Sequence, residues 1–280
     1  MGQEKQDLNR HSYALVTGAG QGIGFAFAEA LALRGYNLVM VSLQGEGLTA
    51  TAMALSEKYQ IDVVPIELDL CNADNCGTLY HMIKEKGLHV SVLINNAGIG
   101  SNAPFTDFDP VFYHKQITLN TIVPVTLCRM FLPDMEKLPA AYILNMASMG
   151  AFFYMPYKEV YVATKSFLIS FTRSLQFSLA KTSVSMTVLC PGSVNSNNRL
   201  KAIHANMKGI ARRSVLDPHE VAEEGLNALF LRKKIWVPGK VNRFLLQLNR
   251  IMPVSIKNAI IRREMDRQEA LKIPLPKRLV

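Results

Sequence analysis

Short apolar runs alternate along this chain with segments whose apolar residues recur every three or four positions. The runs are residues 13–17, 37–42, 62–67, 90–95, 141–147 and 184–190. They are rich in Val, Ile, Leu and Met and do not alternate cleanly with polar residues, the pattern of strands covered on both faces. Helical periodicity fills the gaps: 23–34, stopped by Gly35, a stretch ending near Tyr59, 74–86, a long helix over 110–131, and another over 157–181. A further helix over 218–231 and a short seventh strand at 235–237 follow. Strands alternating with helices predict right-handed crossovers and an α/β fold, a doubly wound parallel sheet of about seven strands. No repeat or Pro/Gly/Ser linker divides the chain, so residues 1–231 read as one domain and 232–280 as its extension.

Composition narrows the class. An apolar content of 49% with 19% charge describes a globular chain rather than a disordered one. No apolar run is long enough for a bilayer, and the polar start MGQEKQDLNRHS does not read as a secretory signal. It opens Met-Gly, but Gln6 stands where a myristoylation site needs Ser or Thr. Four cysteines without CxxC spacing are expected to be reduced, packed thiols in a cytoplasmic protein, with no metal site.

Charge is uneven. Residues 1–198 hold 13 basic and 15 acidic side chains, residues 199–280 hold 18 and 7. The excess in the last third reads first as a solvated basic face; no nucleic-acid recognition motif accompanies it.

The first strand runs into Gly18, Gly20, Gly22 and Gly24 and then an amphipathic helix. A strand–glycine turn–helix unit lets backbone N–H groups approach a pyrophosphate at the helix N-terminus, as in Rossmann-type sheets. The second strand ends at Ser42 with no acid before Glu46, which favours NADP(H) and leaves NAD(H) open. Asp69, at the end of the third strand, is a candidate acceptor for the adenine amino group, or a turn residue. Asn95-Asn96-Ala97-Gly98, ending the fourth strand, suits close contact with a ring or ribose.

Two Tyr–x–x–x–Lys pairs follow the fifth strand, Tyr154/Lys158 and Tyr161/Lys165. Pro156 interrupts the first pair. The second lies one turn apart on one helix face and is the candidate proton-transfer pair. A phenol titrates near 10, so work at neutral pH needs phenolate stabilisation of about 4 kcal/mol. Lys165 and the positive ring of an oxidised nicotinamide are the expected sources. Ser148 is placed to hydrogen-bond a substrate oxygen.

Together these residues resemble the short-chain dehydrogenase/reductase family over about residues 13–231, with Thr17-Gly18-x-x-x-Gly22-x-Gly24, Asn95–Gly98, Asn120, Ser148, Tyr161-x-x-x-Lys165 and Pro191-Gly192 in family order. The resemblance implies Tyr161 as acid and base, Lys165 on the nicotinamide ribose, Ser148 on the carbonyl, and Asn120 holding a relay water. It implies dinucleotide contacts from Gly18, Gly20, Gln21, Gly22, Ile23 and Gly24 in the turn, and from Ser42, Asp69, Leu70, Asn96, Ala97 and Gly98 beyond it. Tyr161, Lys165, Pro191, Gly192, Val194 and Ser196 complete the set. Leu43 and Gln21 depart from the pattern, standing where many NADP-preferring relatives carry a cation. The family also implies a homodimer or homotetramer through its fourth and fifth helices; Phe167, Phe171, Leu175 and Leu179 form a stripe that lines such an interface or packs inward.

The expected reaction is hydride transfer between the nicotinamide and a hydrophobic ketone, secondary alcohol or 3-oxoacyl compound. Ile99, Met149, Phe152, Phe153, Met155 and Tyr157 would form an apolar substrate wall. Residues 197–213 read as a lid whose Arg199 and Lys201 attract an anionic substrate tail. A lyase or epimerase, or a nucleotide-sensing protein without turnover, are the alternatives. Residues 232–280, with 13 basic and 3 acidic side chains, read as two amphipathic helices split at Pro253. Packing against the domain or another subunit is their leading role, ahead of capping the pocket and of lying on anionic lipid.

Overall fold

The computed structural model describes residues 12–270, and the side chains of all of these but 264–270. Gln6 and the last ten residues of the basic extension lie outside the described residues. Seven parallel strands form one sheet in the order β3-β2-β1-β4-β5-β6-β7. They are β1 Tyr13–Thr17, β2 Asn37–Ser42, β3 Val63–Glu67, β4 Val90–Asn95, β5 Ala141–Met146, β6 Val184–Leu189 and β7 Ile235–Trp236. The chain leaves β3 at one edge and returns at β4, beside β1. A crevice therefore opens outside the carboxyl ends of β1 and β4, the place where such sheets bind ligands.

Because the strands are buried on both faces, their side chains feed two cores. Ala14, Val16, Met40, Ile94 and Leu144 face helices α1 (Gly22–Ala32), α2 (Leu48–Tyr59) and α9 (Pro218–Phe230). Leu15, Val41, Leu93 and Ile143 face α3 (Asn75–Glu85), α5 (Val123–Met135) and the end of α6 (Glu159–Ser178). Close helix contact explains Gly225: a Cβ there would stand 2.7 Å from Leu189 Cδ2 and 3.0 Å from Phe27 Cζ. Arg34 also clamps α1 to α9 through two bonds to Glu223, at 3.0 and 2.7 Å.

Two differences from the sequence reading matter for the site. The long helix is α4 (Pro110–Ile117) and α5 joined by a π turn, Thr118–Ile122. Its cause is local. Pro124 carries no N–H, so the carbonyl of Asn120 lacks its α-helical donor. Thr121 Oγ1 donates to Ile117 O at 2.6 Å, and Val123 N–H reaches back five residues to Thr118 O. The second difference is the start of α6 at Glu159. Tyr157 has φ +66°, a left-handed conformation strained for a bulky residue, and Pro156 precedes it.

Residues 197–213 contain two short helices, α7 (Asn198–Ala205) and α8 (Gly209–Arg213). The extension forms α10 (Lys240–Ile251) and α11 (Val254–Ala270), separated at Pro253 as expected. One face of α10 packs on the domain: Leu246 joins a small core with Val188 and Cys190, against which Phe152 and Phe153 pack. Asn249 Nδ2 donates to Phe152 O at 3.2 Å.

Candidate active site

The crevice is built first from missing side chains. Gly18 and Gly22 have φ of +65° and +58°. A Cβ on Gly24 would collide with the Gly18 carbonyl, and one on Gly18 would sit 3.0 Å from Ala97 Cα. The glycine turn and the end of β4 are thus in contact, and side chains lock them together. Thr17 Oγ1 accepts from the N–H groups of Asn96 and Ala97, each at 3.0 Å, and Asn96 Nδ2 donates to Thr17 O at 2.9 Å. Asn96 shapes the turn with its amide. Asn95 is inside the sheet, donating to Asn145 Oδ1 at 2.8 Å, and does not reach the crevice. Gln21 is exposed at the N-cap of α1, Ile23 packs on the core, and no acid stands in that helix's first turn.

Ser42 ends β2 buried, its hydroxyl donating to Leu43 O. A Cβ on Gly20 would lie 2.7 Å from Glu46 Oε2 and 3.2 Å from Ser42 Oγ. Glu46 therefore folds back to the glycine turn, a placement the sequence reading did not anticipate. Asp69 forms a turn and an ion pair: Oδ1 accepts from Cys71 N–H at 3.0 Å and Oδ2 lies 3.4 Å from Lys115 Nζ. Although burial works the other way, these partners hold its carboxyl below the ordinary range. Leu70 is buried behind it. Across the crevice, the Pro191 carbonyl accepts from Met149 N–H at 2.8 Å, Val194 is buried, and the backbone of Ser196 lies against Gly22. Gly192 is covered by Asn242 of α10, whose Oδ1 would be 2.7 Å from a Cβ at that glycine.

The reactive groups converge at the end of β5 and the first turns of α6. Ser148 is extended, its Oγ accepting from Gly150 N–H at 3.0 Å, and its hydroxyl acts on the phenol of Tyr161 in the direction that favours the phenolate. Lys165 is 4% exposed, donates to Met146 O at 2.8 Å, and stands 5.8 Å from the Tyr161 ring centroid. Gly98 makes room for this: a Cβ there would meet Asn120 Oδ1 at 3.0 Å and Lys165 Nζ at 3.3 Å. Asn120 in the π turn grips Ile99 on both sides, accepting from its N–H at 2.9 Å and donating to its carbonyl at 3.0 Å. Its other N–H meets Thr164 Oγ1 at 3.1 Å, so the amide N–H groups are fully engaged. A relay water at this residue would be held by an oxygen. Tyr154, by contrast, is 80% exposed.

Electrostatics correct one expectation. Burial pushes the Tyr161 phenol above its ordinary 10, outweighing the nearby Ser148 hydroxyl, which favours the phenolate. Lys165 does not overcome this; burial pushes its own ammonium down to about 8. Buried Cys190 is a neutral thiol, raised to about 12. In the protein's own field Tyr161 is a protonated donor at neutral pH. Lys158 is half-buried three residues before Tyr161, and burial lowers its pKa. No ion pair of Lys158 occurs among the described residues. All four cysteines are free, and no helix among the described residues is long and apolar enough to cross a membrane.

The short chain dehydrogenase family profile matches residues 12–207. The chain is 29% identical over 254 residues to estradiol 17-beta-dehydrogenase 11 of Rattus norvegicus, covering 89% of this chain and 82% of that one. It is 31% identical over 201 residues to a very-long-chain 3-oxoacyl-CoA reductase of Mycosarcoma maydis, covering 70% and 57%. A short-chain dehydrogenase from Sphingobium yanoikuyae, solved in complex with NADPH, superposes with a TM-score of 0.73 at 22% identity, over 96% of this chain and 98% of that one. With the profile spanning well over half of its residues, the chain belongs to the short-chain dehydrogenase family, whose members are NAD(P)-dependent oxidoreductases.

Proposed function

We propose that this protein reduces a hydrophobic ketone or 3-oxoacyl compound with NADP(H), Tyr161 supplying the proton. The observation that carries the reading is the buried Lys165 set against both the Tyr161 ring and Gly98, on the β4 end that meets the glycine cradle, with Ser148 at the end of β5 acting on the same phenol. A dinucleotide suits that cradle: Cβ-free positions sit at the start of α1, with no acid in its first turn to repel phosphate. When bound, the nicotinamide supplies or takes the hydride. Ser148 holds the substrate oxygen, Tyr161 donates its proton to it, and Lys165 stabilises the phenolate left behind. Met146 O and Asn120 fix the positions of Lys165 and of the Ile99 backbone. A ketone panel tests this. Loss of reduced-nicotinamide absorbance with hydrophobic ketones is expected, and none with any ketone sinks the reading.

NADP(H) is favoured because no acid ends β2 and because the Sphingobium relative binds NADPH. One observation favours NAD(H): the Glu46 carboxylate beside Gly20, on the side where such folds seat the adenosine ribose. The wild-type protein is expected to show the higher kcat/KM with NADPH. Glu46→Gln should raise the NADPH/NADH ratio further, roughly tenfold for one removed charge at partial burial. An unchanged ratio would detach Glu46 from cofactor choice.

The substrate wall is apolar, with Met149, Phe152 and Phe153 packed beside the site. Arg199 and Lys201 are exposed, where a charge contributes little. Lys158 is the better contact for an anionic substrate tail, being desolvated at the N-cap of α6, three residues before Tyr161. Lys158→Gln should raise KM about tenfold for a 3-oxoacyl thioester with an anionic carrier. The same variant should leave KM for neutral ketones and kcat unchanged, and steady-state kinetics on matched substrates checks it. A second copy fits the α4–α6 side, where Ile117, Ile122 and Phe167 are 44%, 54% and 46% exposed. Phe171 and Leu175, in contrast, pack on the core and Leu179 is 5% exposed, so most of the expected stripe faces inward.

A further inference from the structure

The C-terminal helices carry a surface that the catalytic reading leaves without a role. The inner face of α10 is buried on the domain through Asn242 and Leu246. Its outer face is not polar. Phe244, Leu248 and Ile251, at spacings of four and three, form one stripe and are 59%, 39% and 80% exposed. On α11, Ile256 and Ile260 lie four apart on one face and are 49% and 54% exposed, and Val254 at its first residue is 65% exposed. Six large apolar side chains in water along two consecutive helices call for a partner.

Charge decides which partner. Between Arg232 and Arg263 the sequence has nine basic residues and no Asp or Glu. Arg243 is engaged, bonded to Glu224 at 2.8 Å and stacked on Trp236. Lys240, Arg250, Arg262 and Arg263 are exposed, with no ion pair among the described residues. A second copy meeting this face across a two-fold axis would set cations against the same cations. Nucleic acid would meet the charge but leave the apolar stripe in water. An anionic lipid surface answers both: acyl chains take the stripe, and head groups meet cations whose stems reach past it.

We propose that α10 and α11 dock this protein on the surface of an anionic bilayer. The helices lie in the interface rather than cross it. Because the inner face of α10 backs Phe152 and Phe153, docking holds the substrate wall close to the lipid.

Co-sedimentation of the full-length protein tests this, using vesicles of phosphatidylcholine alone and with added phosphatidylglycerol. Partitioning is expected to rise at least about tenfold with the anionic lipid and to fall as salt is raised. Phe244→Ser/Ile251→Ser and Arg250→Gln/Arg262→Gln/Arg263→Gln should each lower it about tenfold. Circular dichroism and ketone reduction should be unchanged, since these exposed side chains are outside the active site. Equal sedimentation with both lipids, or none with either, overturns the proposal. So does light scattering that shows a dimer lost in Phe244→Ser/Ile251→Ser, which would assign the stripe to a second copy. The lipid assay reads no turnover, so its failure and that of the ketone panel are distinguishable.

Discussion

Tyr161→Phe is expected to lower kcat for ketone reduction by about 10²–10⁴-fold, the usual range for removing a positioned acid or base. KM for the reduced cofactor should not change. Phenylalanine keeps the ring that packs over Lys165 and deletes only the phenol oxygen. The direction of the phenol shift adds a sharper expectation. Burial raises its pKa, so the proton is present throughout the neutral range and reduction should be flat there. Alcohol oxidation needs the phenolate, and its rate should climb with pH instead. Ser148→Ala removes the hydroxyl that favours the phenolate, and should shift the oxidation profile to higher pH while sparing cofactor binding. Initial rates in both directions across pH, with cofactor binding followed by fluorescence, test the scheme. If Tyr161→Phe turns over like the wild type, the proton comes from elsewhere.

Much of this was legible because it depends on local spacing. Strand runs, helix periods and Gly35 fixed the element order, and the observed strands match within a residue at either end. The interruption by Pro156 separated Tyr154 from Tyr161, and the structure leaves Tyr154 in solvent. The π turn was missed, although its signal is local: Pro124 stands four residues after Asn120, and a missing N–H at that distance undoes an α-helical bond. Other features had no local signal. Glu46 reaches Gly20 only because β1 and β2 are neighbours, and Asn242 reaches Gly192 from α10, fifty residues further along the chain. The sign of the Tyr161 shift depends on how much protein surrounds the phenol. A spacing rule conveys which groups meet and not how dry the meeting place is.

That dryness sets the second large effect. Lys165→Met should abolish turnover while making the folded protein more stable at pH 7 by about 2 kcal/mol. The ammonium is buried without a carboxylate and donates to the Met146 carbonyl. Burial lowers its pKa from 10.5 to about 8. At about 1.4 kcal/mol per unit, the folded state loses roughly 3 kcal/mol by keeping the amine charged. Methionine removes that penalty but orphans the carbonyl, which costs about 1 kcal/mol, so the net favours the variant. The sign follows from proton counting. Between about pH 8 and 10.5 the unfolded chain holds the Lys165 proton and the folded chain has released it. Wild-type stability from this group therefore rises with pH across that window, and below it the full penalty stands. The variant lacks the rise, so the two stabilities should converge toward pH 10. Urea unfolding at neutral and alkaline pH measures both curves. A variant less stable than wild type at pH 7 would mean that the ammonium is net stabilising where it lies. If the gap appears and closes as described, the fold retains a destabilising cation at this position because phenolate formation at Tyr161 requires one.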